Sequence, residues 1–150
     1  HYDVNSEGSS DMYPKGGNML HTLRQIVNND EKWREILRGL NSTFYHQTVT
    51  TKQIEDYLSN ATGVNLTAFF NQYLRDTRIP TLEYLFKKGF INFRWTNCVS
   101  GFDMPVKVTL NGAEQVLAPK TEWKNIATKT ENQKLDVNRN FYVASFNITE

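Results

Sequence analysis

Cysteine is almost missing from this 150-residue chain: Cys98 stands alone, so no internal disulfide can form and zinc ligation by cysteine clusters is excluded. A single thiol between Asn97 and Val99, in an expected strand, reads as a small buried apolar residue. No apolar run approaches the roughly 20 residues that a membrane-spanning helix requires. An excess of one charge is missing too, because the net charge is +1 and the Lys and Arg residues are scattered. That sets aside a nucleic-acid surface or a basic membrane patch as the main role. Histidine is scarce: His1, His21 and His46 are the only three, and no two lie one helical turn apart. There is no internal repeat, heptad series or low-complexity tract. The N-terminus has no Met, basic segment or apolar leader, so the chain reads as a piece of a longer protein whose localisation signals lie elsewhere.

What remains is a globular composition, 39% hydrophobic, 22% charged and 13% aromatic. A chain of this length buries roughly 68–70% of its unfolded surface, enough for one domain or two small packed units. Four Asn-x-Ser/Thr sequons, at Asn41, Asn60, Asn65 and Asn147, carry little weight where Asn is this abundant.

Residues 1–12 read as a polar loop leading to a helix on which Met19, Leu20, Leu23, Ile26 and Val27 share a face, with Pro14 expected at its first position. Asn28-Asn29-Asp30 ends that helix, and Asp30 is the expected cap of a second, carrying Trp33, Ile36, Leu37 and Leu40 and stopping near Gly39. Thr50 and Gln53 fit a capping box for a third helix, with Ile54, Tyr57, Leu58 and Ala61 on one side and Gly63 as its stop. Leu66, Phe69, Phe70, Tyr73 and Leu74 form the strongest stripe, expected to pack in the core.

After Pro80 the period changes from helical to alternating. Strands are expected over 82–86 and 90–95 around Lys87-Lys88-Gly89, over 106–110 and 113–117 around Asn111-Gly112, and over 134–137 and 141–148. Helices followed by about six short strands give an α+β chain, a helical bundle followed by an antiparallel β-sandwich, divided into residues 1–80 and 81–150.

The helix that follows Tyr13-Pro14-Lys15-Gly16 holds a phenol at its mouth. Taken alone, such a tyrosine is an amphipathic rim residue with no chemistry. Tyr-x-Lys-Gly followed by Met19-Leu20-His21-x-Leu23-Arg24, however, resembles the zinc aminopeptidases of the aminopeptidase N type, the gluzincin group of metallopeptidases. The run from Leu66 to Arg75 and then Ile79-Pro80-Thr81-Leu82-Glu83-Tyr84 is similar to the end of that family's thermolysin-like catalytic domain and the start of its β-sandwich, with Arg78 where glycine is common. The resemblance spans residues 11 to about 84.

It implies a hydrolase that removes N-terminal residues from peptides. Tyr13 would be the catalytic tyrosine that hydrogen-bonds the oxyanion of the tetrahedral intermediate. Zinc would serve the full-length enzyme and none would be held by this chain, because the family's His-Glu-x-x-His pattern, which sets two imidazoles on one helical face, is absent here. The piece alone is expected to be inactive. His21 would be structural or near substrate at most, and Lys15 either an electrophile or a positioning residue for its loop. Asp103, Glu7 and Asp11 show no pairing for independent acid–base work. Expected partners are peptide substrates and the missing N-terminal part of the same protein, without nucleic acid or a membrane span, and the compartment leans to periplasmic or secreted. The competing reading is a non-catalytic module whose aromatic-rich sandwich, with Trp95 and Trp123, binds carbohydrate or protein.

Overall fold

The computed structural model describes residues 11–129, 131 and 133–149; His1, Glu7 and most of the expected N-terminal loop lie outside them. Among the described residues four helices precede seven strands: α1 Met12–Val27, α2 Asp30–Thr43, α3 Thr51–Thr62, α4 Thr67–Arg75, β1 Thr81–Lys87, β2 Phe90–Thr96, β3 Val106–Leu110, β4 Ala113–Leu117, β5 Lys124–Ala127, β6 Leu135–Val137 and β7 Ala144–Asn147. The chain is α+β, with its helices followed by a sandwich of two sheets. None of the described helices is long and apolar enough to cross a membrane.

Local chemistry explains most boundaries. Helix α1 begins two residues earlier than expected, so Pro14 takes its third position. This costs nothing, since the first N–H groups of a helix lack partners inside it. Asn28 closes α1 in the left-handed region at φ 50°, and its N–H reaches the Arg24 carbonyl. Asn29, not Asp30, caps α2, its side chain accepting from the Lys32 N–H at 3.0 Å. Asp30 instead receives the Arg24 guanidinium at 2.8 and 2.9 Å. The capping box of Thr50 and Gln53 is formed as expected, and Gly63 ends α3 at φ 75°.

Gly39 does not end α2, which continues to Thr43. The glycine is there because α3 approaches: the Tyr57 hydroxyl donates to the Ile36 carbonyl at 2.9 Å and occupies the place where a Gly39 Cβ would stand. Gly39→Ala would ordinarily favour a helix interior by about 0.8–1.0 kcal/mol. Here it should instead destabilise by about 1–3 kcal/mol through overpacking. Urea unfolding of Gly39→Ala with and without Tyr57→Phe checks this, and the cost should shrink once the hydroxyl is gone.

The hairpins follow their turn residues. Lys88 and Gly89 sit at φ 51° and 78°, and Asn111 and Gly112 at 50° and 84°, so both two-residue turns have the positive pair that matches strand twist. Alternation then sends Leu82 and Tyr84, Ile91, Phe93 and Trp95, and Val106, Val108 and Leu110 into the core, beside Leu23, Phe69, Phe70 and Tyr73 of the helices. The sheets run β5-β2-β1-β7 and β4-β3-β6.

Three further features depart from expectation. Strand β5, Lys-Asn-Ile-Ala, carries one half-buried apolar residue, Ile126, and so leaves no alternation to read, yet it pairs with β2. Strand β7 is short and runs parallel to β1, with Thr81 opposite Ala144, because the chain returns from the second sheet to the edge of the first. Cys98 lies in the loop after β2, not in a strand, where burial pushes its thiol pKa up against a smaller downward pull from Arg78; that protonated thiol suits a packing role.

Candidate functional site

Tyr13 is the second residue of α1 and is 79% exposed. The side chains that α1 buries, Met19, Thr22 and Leu23, begin six residues further on, and Leu20, expected among them, is exposed. Gly16 and Gly17 lie inside the helix, where each glycine costs roughly 0.5–1 kcal/mol relative to alanine. A Cβ at either would meet nothing within 4 Å. Nothing packed against this turn among the described residues accounts for the two glycines.

The turn is held by Lys15, whose Nζ donates to the main-chain carbonyl of Asp76 at 2.7 Å. Asp76 is the C-cap of α4. Its carboxylate accepts from the Arg78 guanidinium at 2.7, 3.0 and 3.2 Å and from the Arg78 N–H at 2.8 Å. Those Arg78 bonds, with lesser help from Lys15, pull the Asp76 carboxyl down to about 2. Arg78 itself lies outside the positive-φ region, so this turn does not need the glycine common in the resembled family. The Arg78 carbonyl accepts from Gln72 Nε2 at 2.8 Å, and Gln72 Oε1 accepts from the Val99 N–H at 2.7 Å. Gln72 is fully buried with both ends of its amide used. The sequence marks this run through its family resemblance, and the polar Gln on the apolar face of α4 is the local signal that it bonds something there.

Tyr73 extends the link into the sandwich, packing against Phe102 and Tyr142 and donating to the Tyr142 carbonyl at 2.9 Å. Burial pushes its phenol pKa well above the usual tyrosine value. Thr22 of α1 accepts from the Tyr142 N–H at 2.9 Å.

The remaining candidates separate from Tyr13. His21 is exposed and its Nε2 lies 3.1 Å from Asn140 Oδ1. His46 stands in the connection after α2, its ring against Tyr45. Asp103 is exposed. No group of three or more His, Cys, Asp or Glu among the described residues is placed to hold a metal ion. Trp95 is a correction to the binding-module reading: it is 1% exposed inside the sandwich, its indole N–H donating to the Met104 carbonyl at 2.9 Å, so it offers no platform to a ligand. Trp123 is on the surface, and the Arg94 guanidinium lies over its ring at 4.6 Å. On the helical side, Leu20, Leu37, Val49, Ile54 and Leu74 line an apolar groove of about 440 Å³.

No protein-family profile matches the chain, and no curated protein matches it in sequence. Among solved structures it is similar to Legionella pneumophila aminopeptidase A, determined in complex with aspartic acid, with a TM-score of 0.70 at 14% identity. The match covers 95% of this chain and 18% of that one. At this identity the likeness is one of fold, and the chain spans under a fifth of the neighbour's length.

Proposed function

We propose that the chain is part of a zinc-dependent aminopeptidase of the gluzincin group, acting on the N-terminal residues of peptides, and that it supplies the oxyanion-stabilising tyrosine, Tyr13. The observation that carries this is the placement of the Tyr-x-Lys-Gly stretch: an exposed phenol on the first turn of a helix that is packed behind it and anchored by Lys15. The fold likeness to a segment of a much longer aminopeptidase agrees with this.

The described residues do not fit a zinc ion, since they bring no donor cluster together. The ligands of such an ion would belong to the remainder of the protein. The contribution of this chain is the Tyr13 hydroxyl. A phenol carried on an ordered helix turn donates a hydrogen bond to negative charge as it develops on the substrate carbonyl oxygen, and a donor already in position costs no reorganisation at that moment. The helical glycines with open space above them, and the apolar groove with exposed Leu20, Leu37 and Leu74, support a surface that the missing N-terminal part of the same protein covers.

The full-length protein should release the chromophore from an aminoacyl anilide, lose that activity to a chelator and regain it with zinc. The 150-residue chain alone should hydrolyse nothing and take up no stoichiometric zinc, because a catalytic zinc site needs about three protein ligands. Kinetics and metal analysis of both proteins are the test. A full-length protein that is inactive with zinc, or one tightly held zinc per 150-residue chain, would contradict the proposal.

A further inference from the structure

The turn that carries Tyr13 is poorly supported by its own composition. From Met12 to Asn18 it buries no side chain. Gly16 and Gly17 raise the entropic cost of keeping it helical, and nothing rests on them from the described part of the molecule. Lys15 is the counterweight. It lies two residues from Tyr13, and its half-buried side chain bonds a carbonyl 61 positions away in sequence.

The receiving end is well made. The last carbonyls of a helix have no partner within it, and a cation there also meets the negative end of the helix dipole. The Asp76 carboxylate is taken by Arg78, which leaves the main-chain oxygen to Lys15 and fixes where that oxygen points. Gln72 then ties the Arg78 carbonyl to the Val99 N–H in the loop after β2. The anchor is therefore attached to both the last helix and the first sheet.

We infer that Lys15 is a positioning residue for Tyr13: its ammonium group pins the first turn of α1 to the Asp76 carbonyl and so holds the phenol where it can meet the oxyanion. This rests on the proposal that Tyr13 is the oxyanion donor. A displacement of about 1 Å can cost on the order of a hundredfold in rate, so one surface bond at this place has leverage.

The test is a double-mutant cycle in the full-length enzyme with steady-state kinetics on an aminoacyl anilide. Lys15→Met should lower kcat by about ten- to a hundredfold with KM little changed. Lys15→Arg, which keeps a cationic donor at similar reach, should restore most of the loss. In a Tyr13→Phe background Lys15→Met should cost nothing further, because it acts only through the phenol. Should Lys15→Met not fold, Lys15→Gln serves, since its amide falls short of Asp76 and the same loss is expected. Wild-type kcat in Lys15→Met or Lys15→Gln, or losses that multiply with Tyr13→Phe, would overturn the inference and leave the role of Tyr13 standing. Wild-type kcat in Tyr13→Phe would overturn both.

Discussion

Trp95→Ala should destabilise the chain by about 3–5 kcal/mol, the range for deleting a fully buried large aromatic. Trp95 is 1% exposed and packs edge-on against Phe102 at 5.5 Å. Phe102 in turn meets Tyr73 of α4, so the indole sits where the helical and strand halves share a core. Two costs add in the Ala variant: a cavity, and the loss of the indole N–H that donates to the Met104 carbonyl. Trp95→Phe keeps a ring, leaves a smaller void and removes the donor; a smaller loss, about 1–3 kcal/mol, is expected. Chemical denaturation followed by far-UV circular dichroism reads both. A Trp95→Ala protein as stable as wild type would mean that the indole does not fill the core.

How far the sequence announces this structure depends on the range of the interaction. The capping box of Thr50 and Gln53, the left-handed Gly63 and the hairpin turns at Lys88-Gly89 and Asn111-Gly112 involve residues within a few positions of one another. Their chemistry is complete in the local sequence, and they are legible there. Gly39 is the opposite case. Local propensity marks it as a helix end, and the space taken by Tyr57, eighteen positions on, makes it a helix interior. Strand β5 has too few apolar residues to alternate, and its existence depends on the free edge of β2. The parallel register of β7 depends on a return path between the sheets that no local pattern encodes. Trp95 alternates with Arg94 along β2 and is buried with Ile91 and Phe93, so its strand position decides its place and its residue type, which suggested a binding platform, does not.

The candidate site divides in the same way. Tyr13 is found through a short motif, and the structure supplies its exposure and its place on α1. The bond from Lys15 to Asp76 joins residues with no pairing signal between them, and the Arg78 and Gln72 contacts behind it are of the same kind.

Tyr13→Phe in the full-length protein bears most directly on the proposed role of this chain. It removes one hydroxyl and keeps the ring, and at 79% exposure the ring supports little packing, so thermal stability should not move. On the proposed role, Tyr13 donates to charge that exists only in the transition state, and such a donor is lost from kcat and not from ground-state binding. Removal of one such donor costs about 2.7–4 kcal/mol, which is a fall in kcat of about 10²–10³. KM for an aminoacyl anilide should stay near the wild-type value, and thermal unfolding of both proteins is the control for folding. Steady-state kinetics with kcat down by about 10²–10³ at unchanged KM and stability is the predicted result; wild-type kcat in the Phe variant would contradict it and leave Tyr13 a surface residue without a catalytic role.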